Sequence, residues 1–123
     1  MTSHSDLIDI SNDISHKIHL LSEAKNKLRE YATKKAESIS AYEKNLCIVI
    51  LKLRNNSLSE FEGQELKDLP ASVLEKVARG ICFQERLEME KADAEYKSLI
   101  TFIDATKAEL NGLQSQFRYL EER

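Results

Sequence analysis

Apolar side chains recur at alternating spacings of three and four residues along most of this chain, and that repeat limits its fold more than any other feature. From Leu7 to Leu53 one position of the repeat carries Leu7, Ile14, Leu21, Leu28, Tyr42 and Val49, and its companion carries Ile18, Ala32, Ile39, Leu46 and Leu53. A second tract passes through Tyr96, Leu99, Ile103, Thr106, Leu110, Leu113, Phe117 and Leu120. Such spacing gathers one apolar stripe along one side of a helix, and its persistence over many heptads is the mark of a coiled coil. Three Gly and one Pro in 123 residues are too few for the turns of a β-sandwich or a loop-rich enzyme. The elements must therefore be long and helical.

The stop signals divide one helical domain, residues 1–123, into a helix over 5–54, a connector over 55–70 and a helix over 71–122. Ser3, Ser5 or Asp6 is suited to cap the first helix, and Asn55 with Asn56 ends it. The connector holds the sole Pro and two overlapping capping boxes, Ser57 with Glu60 and Ser59 with Glu62, which predict a short helical turn. Leu58, Phe61, Leu66 and Leu69 give that turn an apolar side. Pro70 suits the first turn of the last helix, with Ser72 and Glu75 as a further box.

Two stretches exceed what a single stripe needs. Leu46, Cys47, Ile48, Val49, Ile50 and Leu51 are apolar all round, the pattern of a helix surrounded by protein, with a buried strand as the rival interpretation. Val73, Val77, Ile81, Phe83 and Leu87 spread apolar surface on the last helix as well. Folding the connector over both stretches makes a small tip. The expected fold is therefore all-α: a long antiparallel helical hairpin, a coiled-coil stalk with a short helical connector forming the tip, assembling into a multi-helix bundle. The two seams coincide when paired residue numbers total about 127, which sets Leu28 near Leu99, Ile14 near Leu113, and Lys34 and Lys35 near Asp93 and Glu90.

The residue content argues against most chemistry. A net charge of -3 provides no global basic field for nucleic acid. Cys47 and Cys82 have neither a CxxC nor a Cys/His spacing and read as buried thiols of a reducing compartment. Residues 1–6 lack the basic and apolar regions of a secretory leader, and the apolar run 46–51 is too short to span a bilayer. A cytoplasmic protein without membrane association is expected. His16 and His19, with Asp9 and Asp13, have helical spacing that could gather a divalent metal, but all four lie off the seam and read as a solvated face. Glu85, Glu88, Glu90, Asp93 and Glu95 lack the concave, partly dry pocket that would split their pKa values. There is no Gly-rich phosphate loop and no nucleophile elbow. Neither a catalytic set nor a cofactor or metal site is expected.

What the sequence offers instead is surface for association. Ile8, Ile10 and Tyr31 flank the first seam, and Ile100 and Phe102 flank the second. Two helices cannot cover them all, so Tyr31, Ile100 and Phe102 are the candidates for self-association into a dimer or larger assembly. Phe61, Leu66, Phe83 and Leu87, at the tip, are the candidate contacts to a protein partner. The alternative is a nucleic-acid accessory protein that lays Lys25, Lys27, Arg29, Lys34 and Lys35 along phosphates, although Glu23, Glu30 and Glu37 interrupt this run.

The stretch from Leu69 to Leu120, with Leu69-Pro70-Ala71-Ser72-Val73-Leu74, then Ala78-Arg79-Gly80, then Leu110-Asn111-Gly112-Leu113-Gln114-Ser115, resembles small coiled-coil accessory proteins of bacteriophages and prophages. The resemblance covers under half the chain. It implies a phage accessory factor acting on DNA metabolism or on a host protein, and it assigns no functional residue.

Overall fold

The computed structural model describes residues 4–122. The fold is all-α in its main elements: helix α1 (His4–Arg54), a two-stranded ribbon of β1 (Glu60–Phe61) and β2 (Gln64–Glu65), helix α2 (Ala71–Ile81) and helix α3 (Phe83–Glu121). Two compact units share the long helices. One comprises residues 33–94, and the other pairs the chain up to Ala32 with the chain from Glu95 onward.

The unit over 33–94 holds a true core. Val49, Leu53, Leu66, Leu74, Ala78 and Cys82 are buried together, with Tyr42, Leu46, Leu58, Phe61 and Val77 packed against them. Leu53 and Cys82 are the largest side chains fully enclosed. Within this unit α1 and the start of α3 run in opposite directions. Asn45 Nδ2 donates to Glu85 Oε1 at 2.7 Å, and Lys35 Nζ lies 2.9 Å from Asp93 Oδ1. The segment Leu46 to Leu51 is helical throughout, which removes the strand alternative.

The connector differs from the helical turn expected of it. Its backbone forms an antiparallel ribbon in which Glu60 opposes Glu65 and Phe61 opposes Gln64, and Leu66 N–H extends the ladder to the Ser59 carbonyl at 2.8 Å. The two residues left at the bend, Glu62 and Gly63, have φ of 49° and 81°. Positive φ at both central positions belongs to the type I′ turn, whose twist matches that of the strands it joins. Glu-Gly is thus the decisive local signal, and it overrides the capping boxes.

Other ends also depart from expectation. At the end of α1, Asn56 takes the left-handed conformation with φ 59°, donating its N–H to the Leu53 carbonyl at 3.3 Å. The Asn55 side chain accepts from Ser57 N–H at 2.9 Å. Both Asn residues therefore end the helix as their chemistry suggests. At the other end α1 is described from His4 onward, with Ser5 and Asp6 in that first described turn. Ser3 lies outside the described residues. Pro70 is the residue before α2 rather than its first, and its carbonyl accepts from Val73 and Leu74 N–H, both at 2.9 Å. Ser72 lies inside α2 and not at its cap position.

The single last helix expected over 71–122 is interrupted at Cys82, where ψ reaches 26°. Hydrogen bonding continues on either side: Cys82 N–H donates to Ala78 and its carbonyl accepts from Arg86, both at 3.1 Å. Gly80, two residues earlier, weakens the helix at this point, and glycine is a common companion of a bend.

In the second unit the α3 seam matches the sequence pattern position by position. Ile103 and Thr106 are buried, and Tyr96, Leu99, Leu110, Leu113, Phe117 and Leu120 are half-buried. On α1 the companion position shifts. Ile10, Lys17, Ala24 and Tyr31, three residues after Leu7, Ile14, Leu21 and Leu28, face inward, whereas Ile18 is 49% exposed. Three residues and four residues both return to one face of a helix, on opposite flanks. Lys25 stands on the fourth-residue flank and small Ala24 on the other, so the helix turns Ala24 toward α3. Lys17 reaches past the seam to an ion pair with Glu109. Residue numbers of the bridging pairs total 126 for Lys17–Glu109, 128 for Lys35–Asp93 and 130 for Asn45–Glu85, close to the register the sequence suggests.

Two stability tests follow from these environments. Leu53→Ala should cost about 2–5 kcal/mol in urea unfolding, because it opens a cavity in a closed core, while Leu51→Ala, on a side chain 55% exposed, should stay within about 0.5 kcal/mol. Gly63→Ala should destabilise by about 1 kcal/mol or more, since its φ is left-handed. Gly80→Ala should stabilise by about 0.5–1 kcal/mol, because it is a helical glycine at which an added Cβ meets nothing within 4 Å.

Candidate functional site

The residues around the Cys82 interruption form the most distinctive surface of the 33–94 unit. Phe83 and Leu87 stand on the outer side of α3, 49% and 43% exposed, and Val73 is exposed on α2. Spacings of seven residues from Val73 to Gly80 to Leu87 put these positions on one side of the helical track. Between them Gly80 has no side chain, and an open groove of about 590 Å³ results. Lys76, Arg79 and Arg86 line it together with Glu90. Arg79 Nη2 lies 2.7 Å from Glu75 Oε1, and Arg86 Nε lies 3.2 Å from Glu90 Oε1, both exposed pairs one helical turn apart. Such pairs contribute only about 0.3–0.5 kcal/mol and leave each guanidinium with further donors.

Of the four residues expected to meet a protein partner, two are exposed, one is half-buried and one is buried. Leu66 is buried in the core and Phe61 packs against it, because the ribbon turns its apolar side inward over Leu53 and Leu74. Phe83 and Leu87 are open. Of the self-association candidates, Tyr31 is half-buried in the stripe of α1 that faces inward, where Ile10, the other flanking residue, is buried. Ile100 and Phe102 are exposed. Two residues apart on a helix means about 200° of rotation, so they occupy opposite flanks of the seam. One flat contact cannot cover both.

The basic run is divided. Lys25 and Arg29, four apart, share a face, while Lys27 lies on another; all three are exposed. In the other unit Lys34 is exposed, and Lys35 is drawn toward the seam by Asp93. Glu90, the other carboxylate expected there, pairs with Arg86. His19 Nε2 lies 3.1 Å from Glu23 Oε1 on an exposed face. Among the described residues no group of three or more His, Cys, Asp or Glu side chains is placed to hold a metal ion. A second cleft, of about 560 Å³, opens beside the start of α2. There Asn56 Nδ2 meets Asp68 Oδ1 and Asp68 N–H meets Asn56 Oδ1, both at 3.4 Å. Ile50, Leu69, Leu74, Arg54 and Glu75 are among its other lining residues, which bring no nucleophile beside a base.

The cysteines separate. Cys82 is fully enclosed, and burial, with the Glu85 carboxylate as the smaller cause, raises its thiol above the ordinary value. It stays protonated and unreactive near neutral pH. Cys47 is exposed, contrary to the buried thiol expected, because only one side of the apolar run faces the core: Val49 is buried, while Ile48 and Leu51 also remain open. With a small thiol reagent at neutral pH, one equivalent should react promptly at Cys47, and the second only on unfolding. Equal prompt labelling of both would contradict the closed core around Cys82.

Among the described residues no helix is long and apolar enough to cross a membrane. Comparison with family models, with curated proteins and with solved structures returns no significant match, so function must be reasoned from these surfaces.

Proposed function

We propose that this is a non-enzymatic helical interaction protein, a long hairpin of α1 and α3 that self-associates and also docks a protein partner. The observation that carries the proposal is the set of large apolar side chains left outside the cores: Phe83 and Leu87 in one unit, Ile100 and Phe102 in the other. Each such side chain contributes roughly 1.5–3 kcal/mol when buried, before the costs of association are subtracted. Because Ile100 and Phe102 lie on opposite flanks of α3, an assembly that shelters both must place helices on two sides, as a multi-helix bundle does. Tyr31 then belongs to the seam edge rather than to the centre of the interface. A cytoplasmic phage or prophage accessory role, as the resemblance of 69–120 suggests, suits a small chain with such surfaces. Nucleic-acid binding through Lys25, Lys27, Arg29, Lys34 and Lys35 is the weaker alternative, since these side chains do not share one face.

Light scattering tests self-association. Wild-type protein at tens of micromolar should be a dimer or larger, and Phe102→Asp should shift it toward monomer, because a symmetric contact receives the charge twice. A monodisperse wild-type monomer would overturn this part of the proposal.

A further inference from the structure

We infer that the groove at Gly80 is a docking site for an acidic amphipathic helix of a partner protein; the inference rests on the proposed interaction role and names the chemistry of the partner. Three features converge within one unit. The groove has an apolar centre in Phe83 and Leu87, both open to solvent. Its edge carries the cations Lys76, Arg79 and Arg86 against Glu90, which pairs with Arg86, and the adjoining Glu75, which pairs with Arg79, so the rim keeps a net positive charge. Its floor is Gly80, a residue the chain's own packing does not require: it lacks a left-handed φ, and an added Cβ would meet nothing within 4 Å. A helix-interior glycine with no neighbour to accommodate leaves room for something outside the chain.

The occupant follows from that chemistry. A helix lays apolar residues spaced three and four apart into such a groove, and the notch at Gly80 admits one large side chain or a close backbone approach. Carboxylates on either side of that stripe meet the guanidinium forks of Arg79 and Arg86, which are suited to carboxylate recognition. Phosphates alone would leave Phe83 and Leu87 wet. The chain's own ribbon carries the exposed acids Glu60, Glu62 and Glu65, so a second copy is the competing occupant.

Selection from a display library of helical peptides about four turns long, with randomised side chains, tests this on the full-length protein. Binders are selected on wild type and counter-selected on Gly80→Leu, which fills the notch and, as a better helix former, should melt no lower than wild type. Groove-dependent binders should be net acidic and carry large apolar residues at i and i+3 or i+4. The double substitution Arg79→Glu with Arg86→Glu should weaken them by about tenfold or more. Neutral or basic groove-dependent binders that also fail on Phe83→Asp would overturn the acidic partner while keeping the groove as a docking site. An absence of groove-dependent binders would overturn the inference and the groove's place in the interaction role together. Competition by a DNA duplex that is lost with the double substitution would assign the groove to nucleic acid instead. A shift of the wild-type assembly toward monomer on Gly80→Leu would assign it to a second copy.

Discussion

Removal of one apolar stripe on α1 and one on α3 from water is the interaction on which the rest of the structure depends. Along most of their length these helices have only a narrow seam, and the remaining circumference is mostly polar and charged, with exposed apolar side chains such as Ile18, Ile100 and Phe102 set into it. Alone, each would gain little from propensity, because helices in water owe most of their stability to the packing of one face. Lys17–Glu109 and Lys35–Asp93 bridge the seam edges, but partly exposed pairs of this kind set register more than they stabilise. The core over 33–94 adds a second source of stability, because the ribbon and α2 enclose Leu53 and Cys82 from further sides.

This division explains what the sequence disclosed. The α3 seam from Tyr96 to Leu120 is legible because its residues keep strict heptad spacing among mostly polar neighbours, Ile100 and Phe102 being the large apolar exceptions on its flanks. On α1 the third-residue and fourth-residue flanks both carry apolar side chains, Ile10 on one and Ile18 on the other, and periodicity cannot choose between them. The choice is made by the facing helix, which favours small Ala24 over Lys25. The connector departs from the expected helical turn for a different reason: Ser-x-x-Glu spacing is common near helices, whereas Glu62-Gly63 fixes the backbone through left-handed φ at two adjacent positions. The interruption at Cys82 had a weak signal in Gly80 alone. The run from Leu46 to Leu51 looked fully enclosed, yet the core reaches only one side of it, which leaves Cys47, Ile48 and Leu51 in water.

The candidate surface was legible only by half. Phe83 and Leu87 could be singled out because they exceed what the seam needs, but Phe61 and Leu66 look equally surplus until the ribbon folds them inward. The basic rim was not foreseen, because Lys76, Arg79 and Arg86 are dispersed in sequence and gather only through helical spacing and the loss of a side chain at Gly80. The more conspicuous basic run, Lys25 to Lys35, is in contrast spread around α1. Clustering in sequence and clustering on a helix surface are different properties, and the groove illustrates the second.

The seam register is therefore the central physical claim, and intramolecular disulfide formation measures it most directly. Ala24→Cys combined with Ile103→Cys, in a chain carrying Cys47→Ser and Cys82→Ala, joins two buried positions whose numbers total 127. A disulfide requires Cα atoms within about 7 Å, so a displaced register would not permit it. The account predicts rapid oxidation of this pair within one chain, seen as a faster-migrating monomer on non-reducing gels. Bridging that instead prefers a cysteine one heptad away, at Leu110, would contradict it.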